Sequence, residues 1–294
     1  MTTNSRKGSP LEIIKTVLVL PGTAWLFIFV AAPLLGVLAL SVMQRGNYGE
    51  IIPSFTTENY SRLIGFGSFG FDPIYLRILL HTLTLSVSST LLCVVMGLPL
   101  TFWIASLKQP LRTIMLVVVI IPFWTNLLVR TYAWQIILGP TSPLSSIGQS
   151  ARVLEPGTGF YPGSVAMLMG LLCDYLPYFV LPVFTSVERI DWRIWEAARD
   201  LGAGSASAFR HAVFPQITPG ILAGVTLVFI PSLGQFVVPD LLGGARTMLI
   251  GNSIAQQFGA ARDWPFGAAI ASAQIVFALL VMTWLKRKQA MEGL

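Results

Sequence analysis

EAARDLGAGSASAFRHAVFP, residues 196–215, is a short polar segment set between the fourth and fifth long apolar stretches of the chain. Asp191 stands where an N-cap is needed, and Trp192, Trp195, Ala198 and Leu201 recur every three residues, read as one helical face. Gly202 falls where a helix closes in a left-handed residue. Ser205 is then placed to cap a second short helix running towards Pro215, at the foot of the next apolar stretch. The spacing predicts a helical hairpin in a loop between membrane spans. Such a hairpin has a use where a partner docks, although a capped turn in a plain linker has the same local pattern.

The rest of the chain reads as membrane-embedded. Of 294 residues 54% are apolar and 11% charged, where soluble domains carry about a quarter charged residues. Six apolar stretches approach or exceed the ~20 helical residues that a hydrocarbon core requires: Val17 to Leu40, Ile78 to Ala105, Ile114 to Ile137, Val165 to Val187, Ile217 to Val238 and Phe266 to Leu285. They are too long and continuous for barrel strands, so the expected fold is all-α and polytopic, with six transmembrane helices. No room remains for a soluble domain. The organisation expected is an N-terminal tail over 1–16, a membrane unit over 17–285 carrying the hairpin at 188–215, and a C-terminal tail over 286–294.

Basic residues orient the unit. With six spans both termini share a side, and calling it cytoplasmic places Arg6, Lys7, Lys15, Lys108, Arg112, Arg189, Arg193, Arg199, Arg210, Lys286, Arg287 and Lys288 inside. Arg45, Arg62, Arg77, Arg130, Arg152, Arg246 and Arg262 fall outside, and every lysine is internal. The hairpin is then cytoplasmic. The N-terminus precedes an apolar run with no convincing small-residue cleavage site, so the first span is expected to be retained. Although the sequence pI is about 9.6, the positive charge is spread over juxtamembrane positions and forms no stripe of the kind that nucleic acid requires.

Several chemistries are excluded. Gly65-Phe66-Gly67-Ser68-Phe69-Gly70 matches G-x-G-x-x-G in form, but it lies in the first external loop without a strand-to-helix unit. No Gly-Lys dipeptide occurs, so no phosphate-binding loop of the Walker type is present. His81 and His211 lie far apart and on opposite sides, which argues against a zinc site or a His-based triad. Cys93 and Cys173 both fall within spans, as small apolar packing residues. Neither catalytic nor metal-ligating residues are expected.

Polar groups inside the spans are where transport chemistry would sit. In the second span Thr82, Ser86, Ser89, Cys93, Gly97 and Thr101 form a stripe at helical spacing, suited to close helix packing, with a conducting face as the sharper alternative. Asp174 is ionisable within the fourth span, adjacent to Tyr175 and one turn before Tyr178. It lines a pathway, or it is paired within the bundle or lies close to an interface. Ser232 and Gln235 share a face beside Pro231 and Gly234, where a helix can open, and Asp240 follows at the expected external end.

The hairpin resembles the EAA motif of ABC-importer permeases: Glu196-Ala197-Ala198, three residues, Gly202, nine residues, then a four-residue end closing in Pro215. Ala212 and Phe214 stand where that family has Ile and Leu, and both remain apolar. The strings IPFWTNLLVRTYAW from Ile121, PSLGQFVVPDLLGG from Pro231 and MLIGNSIAQQFGAARDWPFGAA from Met248 resemble permease subunits of spermidine/putrescine ABC importers. The resemblance covers most of the chain, and permeases for phosphonates, opines and other small solutes look alike. It implies a type I ABC importer permease fold in a bacterial inner membrane and a heterodimer with a second permease. It further implies two copies of a cytoplasmic ATPase and an extracytoplasmic solute-binding protein. ATP and Mg would be bound by the ATPase, with no cofactor in this chain and no nucleic acid as partner. On this resemblance Glu196 is the polar anchor towards the ATPase, Ala197 and Ala198 permit close approach, and Gly202 sets the turn. An ion-gradient secondary transporter is the alternative class, although paired broken helices or an internal repeat are not evident.

Overall fold

The computed structural model describes residues 19–67, 70–244 and 248–292. The N-terminal Arg6, Lys7 and Lys15, the Ser68-Phe69 pair of the glycine-rich string, and Arg246 lie outside the described residues. In chain order the elements are α1 (Val19–Ser41), the antiparallel hairpin β1 (Gln44–Arg45) and β2 (Ile51–Ile52), and α2 (Glu58–Ile64). A second small hairpin, β3 (Phe66–Gly67) with β4 (Gly70–Phe71), leads into α3 (Ile74–Ser106). There follow α4 (Leu111–Trp124), α5 (Leu127–Leu138), α6 (Pro143–Ser150), α7 (Ser164–Glu188) and α8 (Trp192–Asp200). The chain closes with α9 (Ser205–Leu233), α10 (Val237–Leu242), α11 (Ile250–Phe258) and α12 (Trp264–Glu292).

Among the described residues five helices, α1, α3, α7, α9 and α12, are long and apolar enough to cross a membrane, and α4 with the helix that follows makes a sixth if that bent pair is one span. Over the described residues each of the six apolar stretches is therefore mostly helical. The third is not straight: the axis turns by 97° between Trp124 and Leu127. Pro122 has no N–H to continue the ladder, Thr125 is extended, and the Asn126 side chain caps the next helix by accepting from the Leu128 N–H at 2.8 Å.

The centre of the bundle is α7, packed between α3 and α9. Its buried face carries Leu171, Tyr175, Phe179, Val183 and Val187, which meet Cys93 of α3, Val213, Ile217 and Val228 of α9, and Val238 and Leu242 of α10. The small residues of α3 are buried, as the packing reading of that stripe expects: Thr82, Ser86, Ser89, Cys93, Gly97 and Thr101 all face protein. Gly97 shows why. A Cβ there would collide with the Phe179 ring, and one on Gly224 of α9 would lie 2.8 Å from the same ring. Two glycines thus admit one phenyl group between two helices, the close approach that small residues permit in membranes. A second cluster joins α3, α11 and α12 through Ile78, Ile250, Phe266 and Ile270, with the Tyr75 and Phe266 rings edge to face at 4.8 Å. The Thr82 hydroxyl closes it by accepting from the Ile250 N–H at 2.9 Å.

The helix α1 behaves differently. Its apolar side chains from Val19 to Val30 are exposed, while Ala32–Ser41 packs against α12. At that end α2 is tied in by Asn59, which donates to the carbonyls of Ser41 and Met43, both at 2.9 Å, and by Arg62, 2.8 Å from Asp263 at the start of α12.

Candidate functional site

The polar hairpin is built from local rules. The Asp191 carboxylate accepts from the Arg193 N–H at 3.1 Å and so caps α8, while its own N–H donates to Gln216 Oε1 on α9 at 3.0 Å. Gly202 takes φ +89°, the left-handed conformation read from its position. No atom lies within 4 Å of where its Cβ would be, so the requirement is on the backbone and not on space. Glu196 and Ala197 are exposed and Ala198 half-buried.

Three details differ from the sequence reading. Ser205 does not cap: Gly204 occupies the extended cap position and Ser205 is already helical, so its hydroxyl makes no cap bond. The expected apolar face is divided, since Trp195 packs on the core with the Arg199 guanidinium 5.0 Å above its ring, whereas Leu201 is 90% exposed. Finally, the second arm is no separate short helix. It continues as α9 into the fifth span through a wider π-helical turn, Phe209–Val213, which takes up the ring and missing donor of Pro215.

The second cluster surrounds Asp174. The structure pairs Asp174 within the bundle, as one of the readings expects: Asp174 Oδ1 lies 2.6 Å from Arg130 Nη2, with the side chains of Arg130 and Asp174 13% and 7% exposed. Arg130 also donates through Nη1 to the Pro122 carbonyl, and Thr125 Oγ1 lies 3.5 Å from the same nitrogen. One guanidinium therefore clasps both sides of the α4–α5 break and joins it to α7. Sequence reasoning placed Arg130 among the charges outside the membrane, and its side chain is instead buried against α7. The signal was present: within the six apolar stretches Arg130 is the only Lys or Arg, and Asp174 the only Asp or Glu. A charge in lipid needs a partner, and these two had only each other.

Tyr175 and Tyr178 stand beside the pair, ring centroids 6.2 Å apart, and Tyr178 meets Phe123 of α4 edge to face at 5.2 Å. Gln235 joins them, its Nε2 3.5 Å from the Tyr175 hydroxyl. The opening expected beside Pro231 and Gly234 is present, because α9 ends at Leu233 and Gln235 Oε1 receives the N–H groups of Phe236 and Val237 at 3.1 and 3.3 Å. Ser232 does not share that face: it is buried and its hydroxyl donates to the Phe229 carbonyl at 2.7 Å. Asp240 is exposed on α10, 3.4 Å from Asn252 Nδ2. The structure thus assembles Arg130, Asp174, Tyr175, Tyr178 and Gln235, and places Ser232 in the helix packing.

The family model of the binding-protein-dependent transport system inner membrane component matches residues 94–288. The spermidine/putrescine transport system permease protein PotB of Escherichia coli (strain K12) is 38% identical over 261 residues, 88% of this chain and 92% of that protein. PotB of Salmonella typhimurium (strain SL1344) is 36% identical over 271 residues, 92% of each chain. A chain of a bacterial ABC transporter involved in the import of the acidic polysaccharide alginate has the same fold, with a TM-score of 0.70 at 16% identity over 96% of both chains.

Proposed function

Because the chain belongs to the family of binding-protein-dependent transport system inner membrane components, we propose that it is the permease subunit of an ATP-driven importer for a polyamine such as spermidine or putrescine. The observation that carries this reading is the hairpin: an exposed α8, turned by a left-handed Gly202, whose second arm is one helix with a membrane span. In this reading Glu196, Ala197 and Ala198 meet a cytoplasmic ATPase, two copies of which serve a heterodimer of this chain with a second permease. An extracytoplasmic binding protein delivers the solute. The multi-pass chain sits in the inner membrane with both termini and the hairpin in the cytoplasm. ATP and Mg belong to the ATPase, and this chain performs no hydrolysis.

The mechanism follows from how the hairpin is attached. Asp191 is hydrogen-bonded to Gln216, and α8 packs on the π-helical turn of α9. A displacement of α8 is therefore passed into α9 through these contacts as well as through the Gly202 turn. ATP binds the closed ATPase pair better than the open one, and that difference in affinity is what biases the permease between its two openings. Tyr175, Tyr178 and Gln235 offer rings and an amide to an alkylammonium chain near Asp174, with Asp240 nearer the mouth.

A second reading, a neutral or anionic small solute, is favoured by one observation: Arg130 already neutralises Asp174. Co-expression with the neighbouring transport subunits decides between them. The assembled complex is expected to take up labelled spermidine or putrescine only with ATP and binding protein, and the chain alone in proteoliposomes is expected to be inert. Uptake by the lone chain under a proton or sodium gradient would reject the importer reading. In a background lacking Cys93 and Cys173, a cysteine at position 204 is expected to resist an impermeant reagent applied outside intact cells; labelling there would invert the topology.

A further inference from the structure

We propose that Arg130 is a resident cation of the pathway: it occupies Asp174 in the bent conformation, and an ammonium group of the solute competes with it for that carboxylate when the bend opens. The proposal rests on the polyamine reading above. It makes Arg130 a specificity-determining residue acting through Asp174.

The pair is one that divides its bonding. A guanidinium serving only as a static partner of a carboxylate favours the two-pronged arrangement, which uses both oxygens. Here Arg130 Nη2 takes Asp174 Oδ1, and Nη1 turns away to the Pro122 carbonyl. Asp174 Oδ2 and Arg130 Nε are both buried and have no hydrogen-bond partner among the described residues. The carboxylate thus keeps one buried oxygen free of any donor, and an ammonium carries the donors and the charge that this oxygen accepts.

The position of the guanidinium is set by the bend. Its contacts to Pro122 and Thr125 lie on the α4 side of a 97° break, whereas its Cα lies on α5. Any change in that angle moves the guanidinium relative to Asp174, which is held on the central helix α7. The surroundings suit an alkylammonium: Tyr178 stacks edge to face with Phe123, and Gln235 reaches the Tyr175 hydroxyl. Aromatic faces beside a carboxylate attract a cation twice, through the ring quadrupole and through the charge.

The test uses the complete complex of both permeases, ATPases and binding protein in nanodiscs, trapped with ATP and vanadate, and reads equilibrium binding of radiolabelled spermidine. The exchange Arg130→Asp with Asp174→Arg keeps a reciprocal ion pair but removes the acceptor from α7. Competition at Asp174 predicts a complex that hydrolyses ATP yet binds spermidine about tenfold more weakly or worse, the loss of one charge-assisted bond. Arg130→Lys keeps the charge but lacks the planar fork that holds Asp174 and Pro122 at once, so spermidine is expected to bind about threefold more tightly. Wild-type binding by the exchanged pair, or an unchanged affinity in Arg130→Lys, would overturn the proposal; if the exchanged pair does not assemble, the lysine variant decides. A wild-type complex that binds another solute and no spermidine would instead overturn the polyamine reading, and the proposal with it.

Discussion

The hairpin at residues 188–215 and the bend at Thr125-Asn126 are both places where an apolar helix gives way to a polar break, yet they are held in opposite ways. In the hairpin the cap is three residues or fewer from the helix it serves, the turn is one glycine with positive φ, and Glu196 and Leu201 face outward. At the bend the angle is fixed by Arg130, which reaches back across the break to Pro122 and across the bundle to Asp174, 44 residues on in the chain. The first is a local device that leaves a surface for a partner. The second is a tertiary device whose charged groups, Arg130 and Asp174, are withdrawn from the surface. Local devices tolerate damage with little loss of stability, because they stand outside the core, whereas a buried ion pair concentrates its cost in one place.

The largest test of that contrast is Arg130→Met. It strands a buried carboxylate on α7, which is expected to cost about 3–5 kcal/mol, whereas removing both charges with Arg130→Met and Asp174→Leu is expected to recover most of it. Thermal unfolding of the purified complex in detergent measures both. A single variant as stable as wild type would mean that the pair contributes nothing to holding the bend.

Gly202→Val comes next. A β-branched residue held at φ +89° is strained by about 1–3 kcal/mol, and since nothing surrounds the site the strain is relieved by changing the turn rather than by disturbing the core. The variant is expected to insert and unfold like wild type but to retain the ATPase poorly on co-purification. Normal ATPase association with normal uptake would show that the turn does not couple the two.

How much the sequence discloses follows the same division. Asp191, Gly202 and the six apolar stretches are legible because caps, left-handed glycines and span length are set by neighbours along the chain. The small-residue stripe of α3 is legible as packing, although only the structure reveals that Gly97 and Gly224 both serve Phe179. The cap of α9 is legible only to within one position, because Gly204 and Ser205 are both acceptable caps and the tie is broken by backbone conformation. The continuity of α9 is not legible, because Pro215 reads as a helix boundary and only a widened turn carries the helix past it. The bend is not legible because Pro122, Thr125 and Asn126 sit inside a stretch that is long and apolar enough on average to read as one span. The match of Arg130 to Asp174 is a statement about two helices at once, which periodicity along either one does not contain.

The smallest and sharpest comparison sets two equivalent caps against each other. Asp191 accepts from the N–H two residues on at 3.1 Å, and Asn126 does the same at 2.8 Å, so each opens a helix by the same hydrogen bond. Alanine at either position is expected to cost about 1 kcal/mol locally, too little to change assembly. The consequences should nevertheless separate. Asp191→Ala frays the start of α8, which is held to α9 by the Asp191 N–H, a backbone bond that alanine keeps. Its effect is expected on ATPase affinity alone, a few-fold at most. Asn126→Ala frays α5 one turn before Arg130, so the guanidinium that clasps Pro122 and Asp174 is carried on a looser helix. Its effect is expected on solute uptake at unchanged ATPase affinity. Parallel titrations of ATPase binding and of spermidine uptake on the two variants check this. If both variants move the same measurement, hairpin and bend are one mechanical unit and not a local device and a tertiary one.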